Sequence, residues 1–251
     1  MIYSSAGSPG KLLIFRKLIY PACLSIALAH AVFCGPAKAA PLSKNADARQ
    51  SGKNGKIKCW YFAQTNKIFG DCDVYVNSQG LRIDFANQKW ANLAKPPDWD
   101  LFVFNPKAKV YCRTPLKDWR ARKLGLSFVR NLKLSGKEDT VAGMRTKVYD
   151  AQTIEQGKRA TRIFMTEEVA LPNQVSVILC GNDAIPALKG IPLRVQHFGG
   201  GATSRTVETH VAKQLYVPAG FFDMPAGYLL VKKPEDVITG GISDIIEEMA
   251  R

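Results

Sequence analysis

The sequence predicts a mainly β domain of the α+β class, built on one antiparallel sheet with too many strands to lie flat. Apolar residues recur at period two over most of the chain beyond residue 56, and Asn, Gly and Pro fall between those runs at hairpin spacing. Helical spacing is confined to a few short segments. About ten strand segments exceed what a twisted open sheet usually holds without curling, so the sheet is expected to curve or close.

The chain of 251 residues opens with Lys11, Arg16 and Lys17, followed by the charge-free run LIYPACLSIALAHAVFCGP from Leu18 to Pro36 and then Ala37-Lys38-Ala39. A basic region, an apolar region and a small-x-small site together read as a signal peptide over residues 1–39, which places the mature protein in the periplasm or outside the cell. Pro21, Gly35 and Pro36 speak against a retained membrane anchor, and Phe33 stands where lipidation of Cys34 needs a small residue. Residues 40–55 (APLSKNADARQSGKNG) lack apolar periodicity and read as a flexible leader, which leaves 56–251 as a single domain. With 46% apolar and 22% charged residues the chain is neither disordered, collagenous nor a multispan membrane protein. Removing the signal takes away four of 35 basic residues and none of the 21 acidic ones, so the remainder stays strongly basic.

Taken in order, Trp60 and Phe62 alternate with Cys59, Tyr61 and Ala63, and Val74 and Val76 with Asp73, Tyr75 and Asn77. Strands over 57–64 and 67–74 around a Thr65-Asn66 turn would set Cys59 opposite Cys72, at the close spacing a disulfide needs, and leave Cys112 for Cys180. A longer loop breaks that parity. Export to an oxidising compartment with four cysteines in the mature part predicts at least one disulfide, although four cysteines allow three connectivities. Asn77-Ser78-Gln79-Gly80 is turn chemistry before Leu81, Ile83 and Phe85, and Asn105-Pro106-Lys107-Ala108-Lys109 joins Leu101–Phe104 to Val110–Cys112. Leu116–Leu124 suits a short helix, Pro172–Cys180 a helix or a strand, and Ile242–Met249 a carboxy-terminal surface helix. Further strands are expected over Phe128–Leu134, Thr146–Thr153, Arg162–Thr166, Leu193–Phe198 and Ser204–Leu215, the last two joined through Gly199-Gly200-Gly201 as a hairpin loop.

No catalytic constellation stands out, and no enzymatic activity, cofactor or metal is expected. His197 and His210 sit alone on predicted strands, no C-x-x-C pair occurs, and the motifs of zinc proteases, α/β-hydrolases and phosphate loops are absent. Glu167-Glu168 and Glu247-Glu248 are sequence neighbours, which cannot both point into one cleft. The basic cluster Lys117, Arg120, Arg122 and Lys123 around Trp119 reads as a solvated helix face, because an exported protein rarely meets nucleic acid. Peripheral attraction to anionic membrane is a secondary expectation, at about 1 kcal/mol per Lys or Arg near the surface.

Several ordered segments resemble exported bacterial proteins with the fold of the outer-membrane lipoprotein carriers of the Lol pathway. They are Val74-Tyr75-Val76 with Gly80-Leu81-Arg82-Ile83-Asp84; Lys109-Val110-Tyr111; Thr140-Val141-Ala142-Gly143-Met144 with Lys147-Val148-Tyr149; Gly190-Ile191-Pro192-Leu193; and Phe221-Phe222-Asp223-Met224-Pro225-Ala226-Gly227-Tyr228. The resemblance implies a strongly curved sheet, an incomplete β-barrel with a few short helices over its concave face. It also implies a non-enzymatic carrier for a lipid, a lipoprotein acyl chain or another apolar ligand. A 16-carbon chain costs roughly 12 kcal/mol to expose to water, which such a cavity avoids. Candidate lining residues are Trp60, Phe62, Leu81, Ile83, Phe85, Phe102, Phe104, Leu193 and Val195. Arg82 stands at the arginine of the family's strand motif, either as a polar contact to a lid or as an outward strand residue. The same fold with a filled core would instead make an envelope protein-interaction or sensor module.

Overall fold

A computed structural model describes residues 55–239 apart from 68, 87, 122–128, 154–159, 184 and 200. The signal segment, nearly all of the leader and the Ile242–Met249 helix lie outside the described residues, as do Arg122–Leu124 of the basic segment. In chain order the elements are β1 (Lys56–Asn66), β2 (Gly70–Asn77), β3 (Gly80–Phe85), β4 (Ala91–Ala94), β5 (Leu101–Asn105), β6 (Val110–Thr114) and α1 (Leu116–Ala121). They continue with β7 (Val129–Val141), β8 (Met144–Thr153), β9 (Ala160–Thr166), α2 (Asn173–Asn182), β10 (Ile191–Gly199), β11 (Ala202–Pro218), β12 (Leu229–Leu230) and α3 (Pro234–Ile238).

The twelve strands form one sheet in the order β12-β6-β5-β4-β3-β2-β1-β11-β10-β9-β8-β7. Every pairing is antiparallel except that of β12 with β6, so the sheet is mixed, and it stays open, ending at β12 and β7. The curved, incomplete barrel expected from the sequence is the observed fold class. Its bending has a local cause: the ladder slips between Ala63 and Gln64, Pro192 and Arg194, Val195 and Gln196, Arg130 and Lys133, and Leu134 and Glu138. Extra residues at such slips bend a strand and increase its twist.

The expected turns mostly occur where the sequence puts them. Asn77 pairs with Gly80 and Asn105 with Val110; Val141 pairs with Met144 across Ala142 and Gly143, at φ 50° and 81°, the two left-handed positions of a type I′ turn. The first hairpin needs a correction. β1 runs through Asn66, which pairs with Gly70, and the Asn66 side chain accepts from Phe69 N–H at 3.2 Å, so Asn66 begins the turn instead of forming its centre. Cys72 therefore stands opposite Gln64, and Cys59 lies an odd number of residues away on the other face. The Cys59–Cys72 pair cannot form in this register. Cys59, Cys72, Cys112 and Cys180 are all buried as thiols, and no disulfide joins any two of them.

Burial raises Cys59 to about 11 and both Cys72 and Cys180 to about 12, which leaves almost no thiolate at neutral pH. Native protein is accordingly expected to be inert to Ellman's reagent, and unreduced protein in denaturant should release all four thiols. Silent cysteines in denaturant would instead report disulfides.

The Pro172–Cys180 ambiguity resolves as α2, because Val175, Ile178 and Leu179 at i, i+3 and i+4 bury one face. Two strands and one helix escaped the sequence reading: β4, whose Ala-Asn-Leu-Ala has no β-branched residue; β12, only two residues long; and α3.

Candidate functional site

The three helices cover the concave face. Phe62, Leu81, Ile83, Phe85 and Leu193, with Trp60 alongside, join one cluster with Trp119 of α1, Val175, Ile178 and Leu179 of α2 and Val237 of α3. Val195 enters a neighbouring cluster with Ile163, Met165 and Cys180. Phe62, Leu81 and Leu193 are 0% exposed and Ile83 and Val195 1%. A side chain that no water-sized sphere can touch borders no open chamber, so the concave face at these positions is a packed core. Trp119 belongs to that core, so it is not displayed among the basic residues for stacking on bases.

Phe102 and Phe104 do not join them. In β5 the inward positions are Leu101 and Val103, and the two phenylalanines point to the opposite face, together with Cys59, Leu93, Tyr75 and Tyr111. That face is covered by the segment after β11, residues 219–228, which lays Phe221, Phe222, Met224 and Tyr228 across the β1–β6 half before β12 pairs with β6. Arg82, alternating with Leu81 and Ile83, lies on this same outer side. It donates to Asp84 Oδ1 and Oδ2 at 2.9 and 3.0 Å, and its guanidinium sits 4.6 Å from the Phe221 ring and 5.6 Å from that of Phe104. Arg82 thus clamps an aromatic strap, on the face away from the helices. Lys95 pairs with Asp223 on the strap, and a Cβ at Gly80 would come within 2.6 Å of Phe222, so glycine there lets the strap lie flat.

Polar contacts tie β1 to β10, to β11 and to the residue after α2. Gln64 Nε2 donates to Pro192 O at 3.0 Å and to Thr209 Oγ1 at 2.8 Å, and Asn66 Nδ2 donates to Asp183 Oδ1 at 3.0 Å just beyond α2. Burial pushes the Asp183 carboxyl up to about 7. A carboxyl raised in the folded state binds its proton more tightly there than in the unfolded chain. Stability is then greatest below the ordinary carboxylate range and falls as pH rises from about 4 to about 7. Asp183→Asn keeps the acceptor for Asn66 and should flatten that slope. At pH 8 it should gain about 1 to 2 kcal/mol in urea melts, less than the roughly 4 kcal/mol the full shift would give because the residue is only part-buried. An unchanged slope would show that Asp183 is not its source.

The other half of the sheet carries a concavity. Between β7 and β10 lies a groove of about 720 Å³ lined by Asn131, Lys133, Asp150, Ala151, Gln152, Ala160, Arg162 and Phe198. Arg162 Nε donates to Asp150 Oδ1 at 2.9 Å and its guanidinium rests 5.2 Å from the Phe198 ring; Asn131 Nδ2 donates to Gln152 Oε1 at 3.0 Å. None of these residues stood out in the sequence. The available signal was polar Asp150, Gln152 and Arg162 alternating with Tyr149, Ala151 and Ile163, a two-faced pattern that says outward without saying grooved. His197 is held between Thr161 Oγ1 at 2.9 Å and Thr206 Oγ1 at 3.2 Å, and His210 meets Thr65 Oγ1 at 2.9 Å. Glu167 pairs with Lys147 and Lys189, and Glu168 with Arg145. Among the described residues no three metal-ligating side chains gather, and no helix is long and apolar enough to cross a membrane.

Scanned against protein families the sequence matches none, and it matches no curated protein. Among solved structures it is similar to an uncharacterized conserved protein from Thermus thermophilus, with a TM-score of 0.42 and 11% identity over 70% of this chain and 90% of that one. It is also similar to MucB, with a TM-score of 0.37 and 13% identity over 72% of this chain and 62% of MucB. MucB in the Pseudomonas aeruginosa MucA/MucB complex gives a TM-score of 0.35 at 12% identity, over 69% of this chain and 58% of that chain. The similarity to MucB thus spans less than two thirds of MucB's length.

Proposed function

We propose that this protein is a non-enzymatic interaction module of the cell envelope, exported by its amino-terminal signal and recognising another protein through the outer surface of its sheet. The observation that carries this reading is the sealed concave face. A carrier needs an unfilled apolar chamber of roughly 300–1,000 Å³, and the residues best placed to line one are 0–1% exposed and packed against α1, α2 and α3. Phe102 and Phe104 are taken up by the strap, and the β7–β10 groove is a concavity of mixed chemistry.

Native mass spectrometry and solvent extraction of protein purified from its own envelope test the choice. The expected result is a bare polypeptide mass with no stoichiometric apolar ligand. An acyl-chain ligand recovered at one per chain would overturn the proposal in favour of a carrier. Edman sequencing or intact mass of the same preparation checks export, which predicts a mature start near Ala40.

A further inference from the structure

We infer that the groove between β7 and β10 is a docking site for an acidic, extended peptide segment that sets one aromatic or aliphatic side chain against Phe198. The inference rests on the interaction-module reading and names the partner's chemistry.

The strand register builds the site in two rows. Lys133, Asp150, Arg162, Gln196 and Arg205 are successive cross-strand neighbours from β7 to β11, and Arg130, Gln152, Ala160, Phe198 and Thr203 form the adjacent row. The first row carries three cations and one acid, and that acid is already engaged by Arg162. Arg205 shares Glu208 with Arg194. Arg130 and Lys133 are exposed and form no ion pair with a described residue, so the floor presents uncompensated positive charge to whatever lies on it. Phe198 provides an apolar wall, held in place by the guanidinium of Arg162, beside the small side chain of its cross-strand neighbour Ala160. Positive charge around a small apolar recess fits an acidic segment with one apolar anchor.

The occupant lies across the face and does not add a strand. The free edge of β7 is interrupted by two register slips and carries Lys133 and Lys137, devices that blunt an edge against further pairing. A flat anionic bilayer fits less well, since Asp150 stands between Lys133 and Arg162 in the basic row. About 720 Å³ admits a few residues of chain and no more.

Fluorescence anisotropy with the full mature chain tests this. The probe is a labelled short peptide of glutamates around one phenylalanine, compared with versions bearing glutamine for glutamate and alanine for phenylalanine. Anionic phosphatidylglycerol vesicles and a polyuronate serve as competitors. The acidic, phenylalanine-bearing peptide should bind about tenfold or more tighter than either comparison peptide. Its affinity should fall with salt and drop about tenfold in Lys133→Glu and in Phe198→Ala, with Lys58→Glu as an unaffected control and thermal melts confirming the fold.

Equal affinity for acidic and amide peptides, or insensitivity to Lys133→Glu, would overturn the inference. So would competition by vesicles or polyuronate at the same residues with no peptide binding. A photo-crosslinker at Thr203 in living cells separates the two levels. A protein adduct without acidic-peptide binding would reject the acidic partner and keep the module, whereas adducts only to lipid, or none, would reject both.

Discussion

Phe62→Ala is expected to remove about 3 to 5 kcal/mol of stability in urea denaturation, a large share of the roughly 5 to 15 kcal/mol that holds a typical domain folded. The phenyl group is 0% exposed and stacks on Trp60 with ring centroids 6.0 Å apart, within the cluster that holds α1, α2 and α3 to the sheet. Its removal leaves a hole bounded by close-packed neighbours, which adds a cavity cost to the lost transfer energy. The same substitution in a carrier would enlarge a chamber that is already open, at little cost. A measured loss below about 1 kcal/mol would therefore contradict the filled interior and revive the carrier reading.

Gly190→Ala is expected to be at least as damaging, for a backbone reason. Gly190 has a φ of 102°, and a Cβ there would stand 2.1 Å from the carbonyl oxygen of Thr166 and 2.9 Å from its carbon. The obstacle is main chain of the paired strand β9, which cannot swing aside as a side-chain tip can. Gly190 N–H also donates to Ser176 Oγ of α2 at 3.1 Å, so displacement would strain the join between helix and sheet. Strained φ and overlap together should cost about 3 kcal/mol or more, read as a fall in the urea midpoint. A near-wild-type midpoint would mean that the β9–β10 join adapts easily.

The segments that carried the family resemblance turn out to be joints of the fold. Gly190 is the close approach just described, Ala142-Gly143 the left-handed turn, Gly80 the clearance for Phe222, and Phe221–Tyr228 the strap itself. Strand positions and most hairpin turns were readable because period two and turn residues are local properties. Which face each residue takes was readable only where one face is buried. In β5 both faces are buried, so Leu101-Phe102-Val103-Phe104 offers no alternation to orient it, and choosing the bulkiest residues as cavity lining put Phe102 and Phe104 on the wrong side of the sheet. In β1 the buried positions change phase midway, from Ile57 and Cys59 under the strap to Phe62, Gln64 and Asn66 under the helices. The disulfide expectation failed by a register difference that depends on where a single asparagine sits in its turn. The groove was illegible because it is made by register across four strands, which no stretch of sequence contains.

The order in which the chain is made gives the strap a further consequence. Ribosomes deliver a polypeptide amino end first, so β1–β6 are complete before residues 219–228 arrive to cover them. Until then Leu93, Phe104 and Cys59 face the surroundings on the outer side of an otherwise finished meander. Such a nascent half-domain is sticky, and a chain cut short before Ala219 would stay so permanently. The strap thus ties concealment of the apolar outer side of β1–β6, a surface through which incomplete chains associate, to the synthesis of one late segment.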